Sequence, residues 1–311
     1  MIHRFIANGG FFLCQLMLLV GILGYSPALR GGSADDGVSI NRVAINNETI
    51  DNEAINVAVA ANFYAPLKVI SNKFEKQSGR KVRLIPGSSG KIFAQIKNGA
   101  PFDVFLSADQ HKPAALEQAG LVVKGSRFTY AQGELVLWSN QAGLSFNGAK
   151  TIQSNVVKKL ALANPKLAPY GLAAKQVLDS LNLYESVKNK LVYGENIAQT
   201  YQFVASGNAQ VGFLALSQVI GMSESGEAKH RSGSFWRVPG ELHQPIFQDA
   251  VILKRAKANS TASEFLKFLR TTRATHIIHA YGYKAMQTNS AQPVHHLMKR
   301  DKVKNNNEGV Y

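Results

Sequence analysis

From Ile55 onward the chain alternates short β-like runs with helical stretches, and this alternation constrains its fold more than any other feature. "INVAVAAN" reads as a strand. Pro66 to Lys76 reads as a helix, ended by Ser78-Gly79. "KVRLI" gives the next strand and Ile92 to Lys97 the next helix. "DVFLS" then reads as a strand, and "KPAALEQAG" as a helix closed by Gly120. Repeated β-α units predict a mostly parallel sheet with helices on both faces. "FTYAQGELVLWS" follows as a long β run that leads out of this first lobe.

A second alternating block runs from about Leu135 to Ile246. It holds "KLALANP", a helix from about Gly171 to Leu181, "KLVYG", a helix from about Ile197 to Ser206, and "VGFLALS". "IFQDAVILK" is a further β run, and "SEFLKFLRTTRATHIIHAYG" carries a pair of helical patterns. The expected organisation is a first lobe over 55–134, completed by 247–287, and a second lobe over 135–246. Two α/β lobes imply a cleft. In open parallel sheets ligands sit beyond the carboxyl ends of strands, where helix N-termini converge.

Four strand-to-helix junctions qualify as ligand positions. Ala60-Ala61-Asn62-Phe63 ends one strand, and Asn62 can cap the helix or offer its amide outward. "LIPGSSGKIFAQIKNG" empties a strand into Ser88-Ser89-Gly90. A nucleotide-binding P-loop is excluded there, because that motif needs Gly five residues before Gly90 and Ser or Thr after Lys91, where Ile85 and Ile92 stand. What survives is a helix N-terminus approached through small residues, either an ordinary cap or an anion-binding device. In the other block, "NPKLAPYGLAAKQVL" places Pro169-Tyr170-Gly171 at a helix start. "YGENIAQTYQFVASG" makes Asn196 a cap and leaves Ile197 with one of the first free N–H groups.

All four starts present neutral donors. The exception is the nearby Glu195, expected to face outward, and Lys91 is expected to point to solvent. A fully ionised oxyanion needs donors only, whereas a ligand that keeps a proton also wants an acceptor. The pattern therefore favours a tetrahedral dianion of the sulfate or molybdate type, stabilised by amides and helix dipoles rather than by direct cations.

These stretches resemble the periplasmic molybdate-binding proteins of ABC importers. The resemblance is carried by "VAVAANF", "FEKQSGRKVRLIPGSSGKIFAQIKNGAPFDVFLSADQ", "SRFTYAQGELVLWS", "NPKLAPYGLAAKQVL" and "AQVGFLAL", across about Ile55 to Gly282. It implies an α/β two-lobed periplasmic-binding fold, no enzymatic turnover, no cofactor and no side chain coordinating a metal cation. Molybdate or tungstate would be the ligand, an ABC membrane permease the partner, and the protein a monomer. Matching motifs carry the ligand contacts to Asn62, Ser89, the backbone N–H of Tyr170 and the backbone N–H of Ile197. The chain departs from the pattern where many relatives have Ser and it has Asn62, and where some have Tyr and it has Ala215.

The N-terminus bears on compartment. Arg4 precedes the apolar "FIANGGFFLCQLMLLVGILGYSPA", and Ser26-Pro27-Ala28 offers small residues for cleavage, so residues 1–28 read as a secretory signal peptide and imply a periplasmic location. An uncleaved membrane anchor is the alternative. The one cysteine, Cys14, lies inside this segment without the preceding small residue of a lipoprotein site. Residues 29–54 read as a polar linker and 288–311 as a basic flexible tail.

The formal net charge of +15 raises a nucleic-acid-binding alternative, but the basic residues are dispersed through helices and an export signal argues against it. A receptor for another oxyanion such as sulfate is the rival within the same class. His276 and His279, three apart, and the adjacent His295 and His296 lack a supporting carboxylate or third histidine and read as solvated or core. Neither G-x-S-x-G nor H-E-x-x-H occurs. Tyr184, Tyr193, Tyr201 and Phe203 sit in periodic apolar text and read as core.

Overall fold

The computed structural model describes residues 54–141, 146–222, 228–230, 233–284 and 286. The signal-peptide, linker and basic-tail readings, and His295 and His296, lie outside these residues or all but outside them.

The first lobe opens with β1 (Ile55–Ala60), α1 (Tyr64–Ser78), β2 (Val82–Gly87), α2 (Ser89–Lys97), β3 (Val104–Leu106), α3 (His111–Gln118) and β4 (Phe128–Gly133). A 3₁₀ turn over Ala61–Phe63 joins β1 to α1. The second lobe follows with β5 (Leu135–Ser139), α4 (Gly148–Gln153), β6 (Leu160–Ala163), α5 (Pro169–Ser180), α6 (Tyr184–Val187), β7 (Leu191–Gly194), α7 (Ile197–Ala205), β8 (Val211–Ala215) and α8 (Leu216–Val219). A short antiparallel pair, β9 (Ile220–Met222) with β10 (Ala228–His230), precedes β11 (Ser234–Arg237). The chain then returns through β12 (Ile246–Ile252), α9 (Ser260–Leu269) and α10 (Thr272–Ala280) to the first lobe.

Each lobe is built on a five-stranded sheet, ordered β2-β1-β3-β12-β4 in the first and β11-β5-β8-β6-β7 in the second. β2, β1 and β3 pair in parallel, as do β7, β6 and β8. β12 pairs antiparallel with β3 and β4, and β5 antiparallel with β8 and β11. The two reversed strands are the ones that enter each sheet directly from the other lobe. Without a helical crossover beforehand, a strand arrives running the opposite way. The long run read through "FTYAQGELVLWS" is accordingly split at Glu134, with β4 in one sheet and β5 in the other.

Burial follows the layering. In β1, Val57 and Val59 pack toward α1 and α9 with Leu67 and Phe265, while Ala58 faces Ile92 and Phe105 on the opposite side. Burial on both faces explains a strand written almost wholly in apolar residues. α1 stops at Gly79, whose φ of 73° closes the helix in the left-handed conformation. The second lobe has its own core around Leu137, Leu160, Ala174, Val177 and Phe213. Tyr184, Tyr201 and Phe203 pack at its edge, and Tyr201 stacks on Trp138 at 5.3 Å. Tyr193 departs from the core reading: its side chain is exposed, because β7 is the edge strand of its sheet. His276 and His279 are exposed on α10. Among the described residues no helix is long and apolar enough to cross a membrane.

Candidate functional site

Four helix or 3₁₀ N-termini converge between the lobes around one small cavity. The room inside it is about 10 Å³, water-sized rather than the ~300–1,000 Å³ of typical organic-ligand pockets, so the space suits at most one compact ion. Asn62, Ser89, Tyr170 and Ile197 all line it, two from each lobe, together with Ser88, Asn196 and small residues. All four are buried. No lining residue carries a carboxylate, an ammonium or a guanidinium.

At α2 the two serines divide the work. Ser88 is the cap, with Oγ accepting from the Lys91 N–H at 3.4 Å. Ser89 Oγ instead accepts the Ala108 N–H at 2.9 Å, which leaves the hydroxyl proton free to be donated. The cap of this turn is thus Ser88, and Ser89 is the serine left with a donor at the cavity. Across the cleft, Pro169 occupies the first turn of α5, where its missing N–H is no loss, and the Tyr170 N–H follows within the same unpaired turn. Asn196 caps α7 as expected, its Oδ1 accepting from Ala198 and Gln199 at 2.9 and 3.1 Å. Two donors are thereby satisfied by the cap, and the Ile197 N–H stays available at the cavity.

Asn62 differs from the expectation that its amide caps a helix or faces outward. α1 has no side-chain cap, and Asn62 Nδ2 donates inward to Gln248 Oε1 at 2.9 Å and Tyr283 Oη at 3.0 Å. These buried partners claim both amide protons. The donor Asn62 has left is its main-chain N–H, in the unpaired first turn of the 3₁₀ helix. Ala215 ends β8, buried but outside the cavity lining; its N–H donates to Gln218 Oε1, while Gln218 Nε2 donates to the Ile197 carbonyl.

Among the contacts that join the lobes at the cavity, two come from α2. The Gly90 N–H donates to the Leu167 carbonyl at 2.8 Å. A Cβ at Gly90 would lie 2.8 Å from that oxygen, so only glycine allows this approach. Lys91 Nζ reaches Glu195 Oε1 at 2.8 Å. Lys91 is exposed, as expected, and also pairs across the cleft with Glu195, which is exposed too. Both ends are about half exposed, which places the pair at ~0.2–1 kcal/mol.

Sequence reasoning missed the polar group behind the cavity: Tyr130, Ser217, Gln248 and Tyr283. Gln248 Oε1 also accepts from Tyr130 Oη at 2.9 Å, and Ser217 Oγ donates to the Asn62 carbonyl at 2.9 Å. The available signal was Gln248-Asp249 interrupting the apolar text of β12. Burial holds the phenols of Tyr130, Tyr170 and Tyr283 well above the ordinary tyrosine range, so they remain neutral hydrogen-bonding groups. Among the described residues no cluster of three or more His, Cys, Asp or Glu is placed to hold a metal ion.

Residues 55–284 match the family model for bacterial extracellular solute-binding proteins. The chain is 52% identical over 229 residues to the molybdate-binding protein ModA of Azotobacter vinelandii, covering 74% of this chain and 89% of that one. It is 46% identical over 227 residues to the molybdate-binding protein ModA of Rhodobacter capsulatus, covering 73% and 86%. Among solved structures, the Azotobacter vinelandii periplasmic molybdate-binding protein superposes with a TM-score of 0.70 at 39% identity, over 75% of this chain and all of that one.

Proposed function

Because the chain belongs to the molybdate-binding branch of the bacterial extracellular solute-binding proteins, we propose that it captures molybdate or tungstate between its lobes and hands it to the permease of an ABC importer. The observation that carries this reading is the donor-only cavity. N–H groups from four N-termini and one free hydroxyl proton surround a small space lined by no ionisable side chain other than Tyr170, whose phenol is turned away from it. Helix dipoles place partial positive charge there, and the low-dielectric surround strengthens each bond to a dianion. The site offers no acid–base pair or nucleophile, so the ligand is bound and released unchanged. The protein acts as a periplasmic monomer, exported through the N-terminal apolar segment.

Discrimination among anions follows from protons and size. Hydrogen phosphate needs an acceptor for its proton, and the lining side chains supply no carboxylate. Sulfate is fully ionised, but its bonds are shorter than molybdate's, so a cavity spanned by molybdate would hold sulfate with longer, weaker hydrogen bonds to one lobe. Thermal melting tests the reading: molybdate and tungstate should each raise the melting temperature and compete with one another. Equal shifts with sulfate would defeat the molybdate assignment while leaving an oxyanion receptor.

A further inference from the structure

Gln248 lies on β12, fully buried, at the level where the chain passes between lobes. An amide in an apolar strand is costly unless its donors and acceptors are met. Here Oε1 accepts from Asn62 Nδ2 and from Tyr130 Oη, both at 2.9 Å, and Nε2 donates to Tyr170 Oη at 3.3 Å. The Tyr170 ring reaches this point only because residue 133 is glycine: a Cβ there would sit 1.9 Å from the phenol oxygen.

Asn62 and Tyr170 are two of the four cavity residues, and they come from opposite lobes. Both residues line the cavity from first turns whose N–H groups lack helical partners, while their side chains are tied together through one amide. Gln248 itself does not line the cavity. We propose that Gln248 is a positioning residue for anion selection: by tying Asn62 to Tyr170 it fixes how far apart the two lobes hold their donors, and hence which size of tetrahedral dianion satisfies both. Methionine has the shape without the hydrogen bonds, and glutamate would set a negative charge behind an anion site. The inference rests on the oxyanion reading of the cavity.

The test is calorimetric titration of wild type, Gln248→Met and Tyr170→Phe with molybdate and with sulfate, alongside melting of each free protein. Tyr170→Phe removes one oxygen atom and keeps both the ring and the main-chain N–H, so it decides the matter if Gln248→Met does not fold. The preference for molybdate over sulfate should fall by about tenfold or more in Gln248→Met, and in the same direction but less in Tyr170→Phe. A general loss of stability would weaken both anions equally and leave their ratio unchanged. That result, or unchanged binding of both, overturns the proposal. A wild-type protein that binds neither anion would defeat the functional reading and this inference with it; wild-type binding with invariant ratios would defeat the inference alone.

Discussion

Replacing Ser89 by alanine should separate ligand binding from helix capping, because Ser88 alone caps α2 while Ser89 lines the cavity with its proton unclaimed. Ser89 Oγ is held by the Ala108 N–H at 2.9 Å, and its own proton is the hydroxyl donor at the cavity. A hydrogen bond to a charged acceptor contributes about 1.5–3 kcal/mol. Ser89→Ala should therefore weaken molybdate binding roughly ten- to a hundredfold. It also strips a buried N–H of its acceptor, which should cost the free protein about 1–3 kcal/mol. Ser88→Ala removes the cap, whose 3.4 Å contact is long, so the loss should sit near the lower end of the cap range, about 0.5–1 kcal/mol, with affinity nearly unchanged. Calorimetric titration and thermal melting of both variants beside wild type read the two quantities separately. Affinity of Ser89→Ala within about twofold of wild type would refute the reasoning.

Gly90→Ala puts a Cβ 3.0 Å from Leu167 Cα and 2.8 Å from its carbonyl oxygen in the opposite lobe. The free protein should melt below wild type, since the lobes must shift apart and the Gly90–Leu167 hydrogen bond is lost. Molybdate binding should weaken by about tenfold or more, because the donors of the two lobes are pushed apart, and unchanged affinity in calorimetric titration would contradict this. The raised pKa values of Tyr130, Tyr170 and Tyr283 stem first from desolvation. Above the ordinary tyrosine pKa of about 10 the unfolded chain sheds these protons and the native state keeps them, so stability falls as pH rises. The slope should approach ~1.4 kcal/mol per pH unit for each tyrosine, and tyrosinate absorbance from these three should appear only with unfolding. A gradual titration of all ten tyrosines in the folded state would contradict this. N-terminal sequencing of periplasmic material should begin between about Leu29 and Ser33; an intact Met1 in the membrane fraction would show an anchored receptor instead.

The β-α alternation was readable because each helix start and strand carries its own local signal. Ser88-Ser89-Gly90, Pro169-Tyr170-Gly171 and Asn196-Ile197 each announce an N-terminus within a few residues, and the fold brings these to one cavity. What stayed hidden depends on partners far apart in the chain. Asn62 meets Tyr283 across 221 positions and Gln248 across 186, so nothing local tells that its amide turns away from the cavity. Likewise, which serine caps α2 depends on the Ala108 N–H, 19 residues onward, claiming the other. The exposure of Tyr193 follows from β7 being an edge strand, a property of sheet order rather than of its neighbours in sequence.

The most direct measurement of the central claim is calorimetric titration of the purified, ligand-free protein with molybdate, tungstate, sulfate and phosphate in turn. Molybdate and tungstate should each bind one ion per chain and exclude one another, with sulfate much weaker and phosphate giving little heat near neutral pH. Binding of phosphate as tight as molybdate would contradict the donor-only cavity, and sulfate binding as tight as molybdate would contradict selection by size.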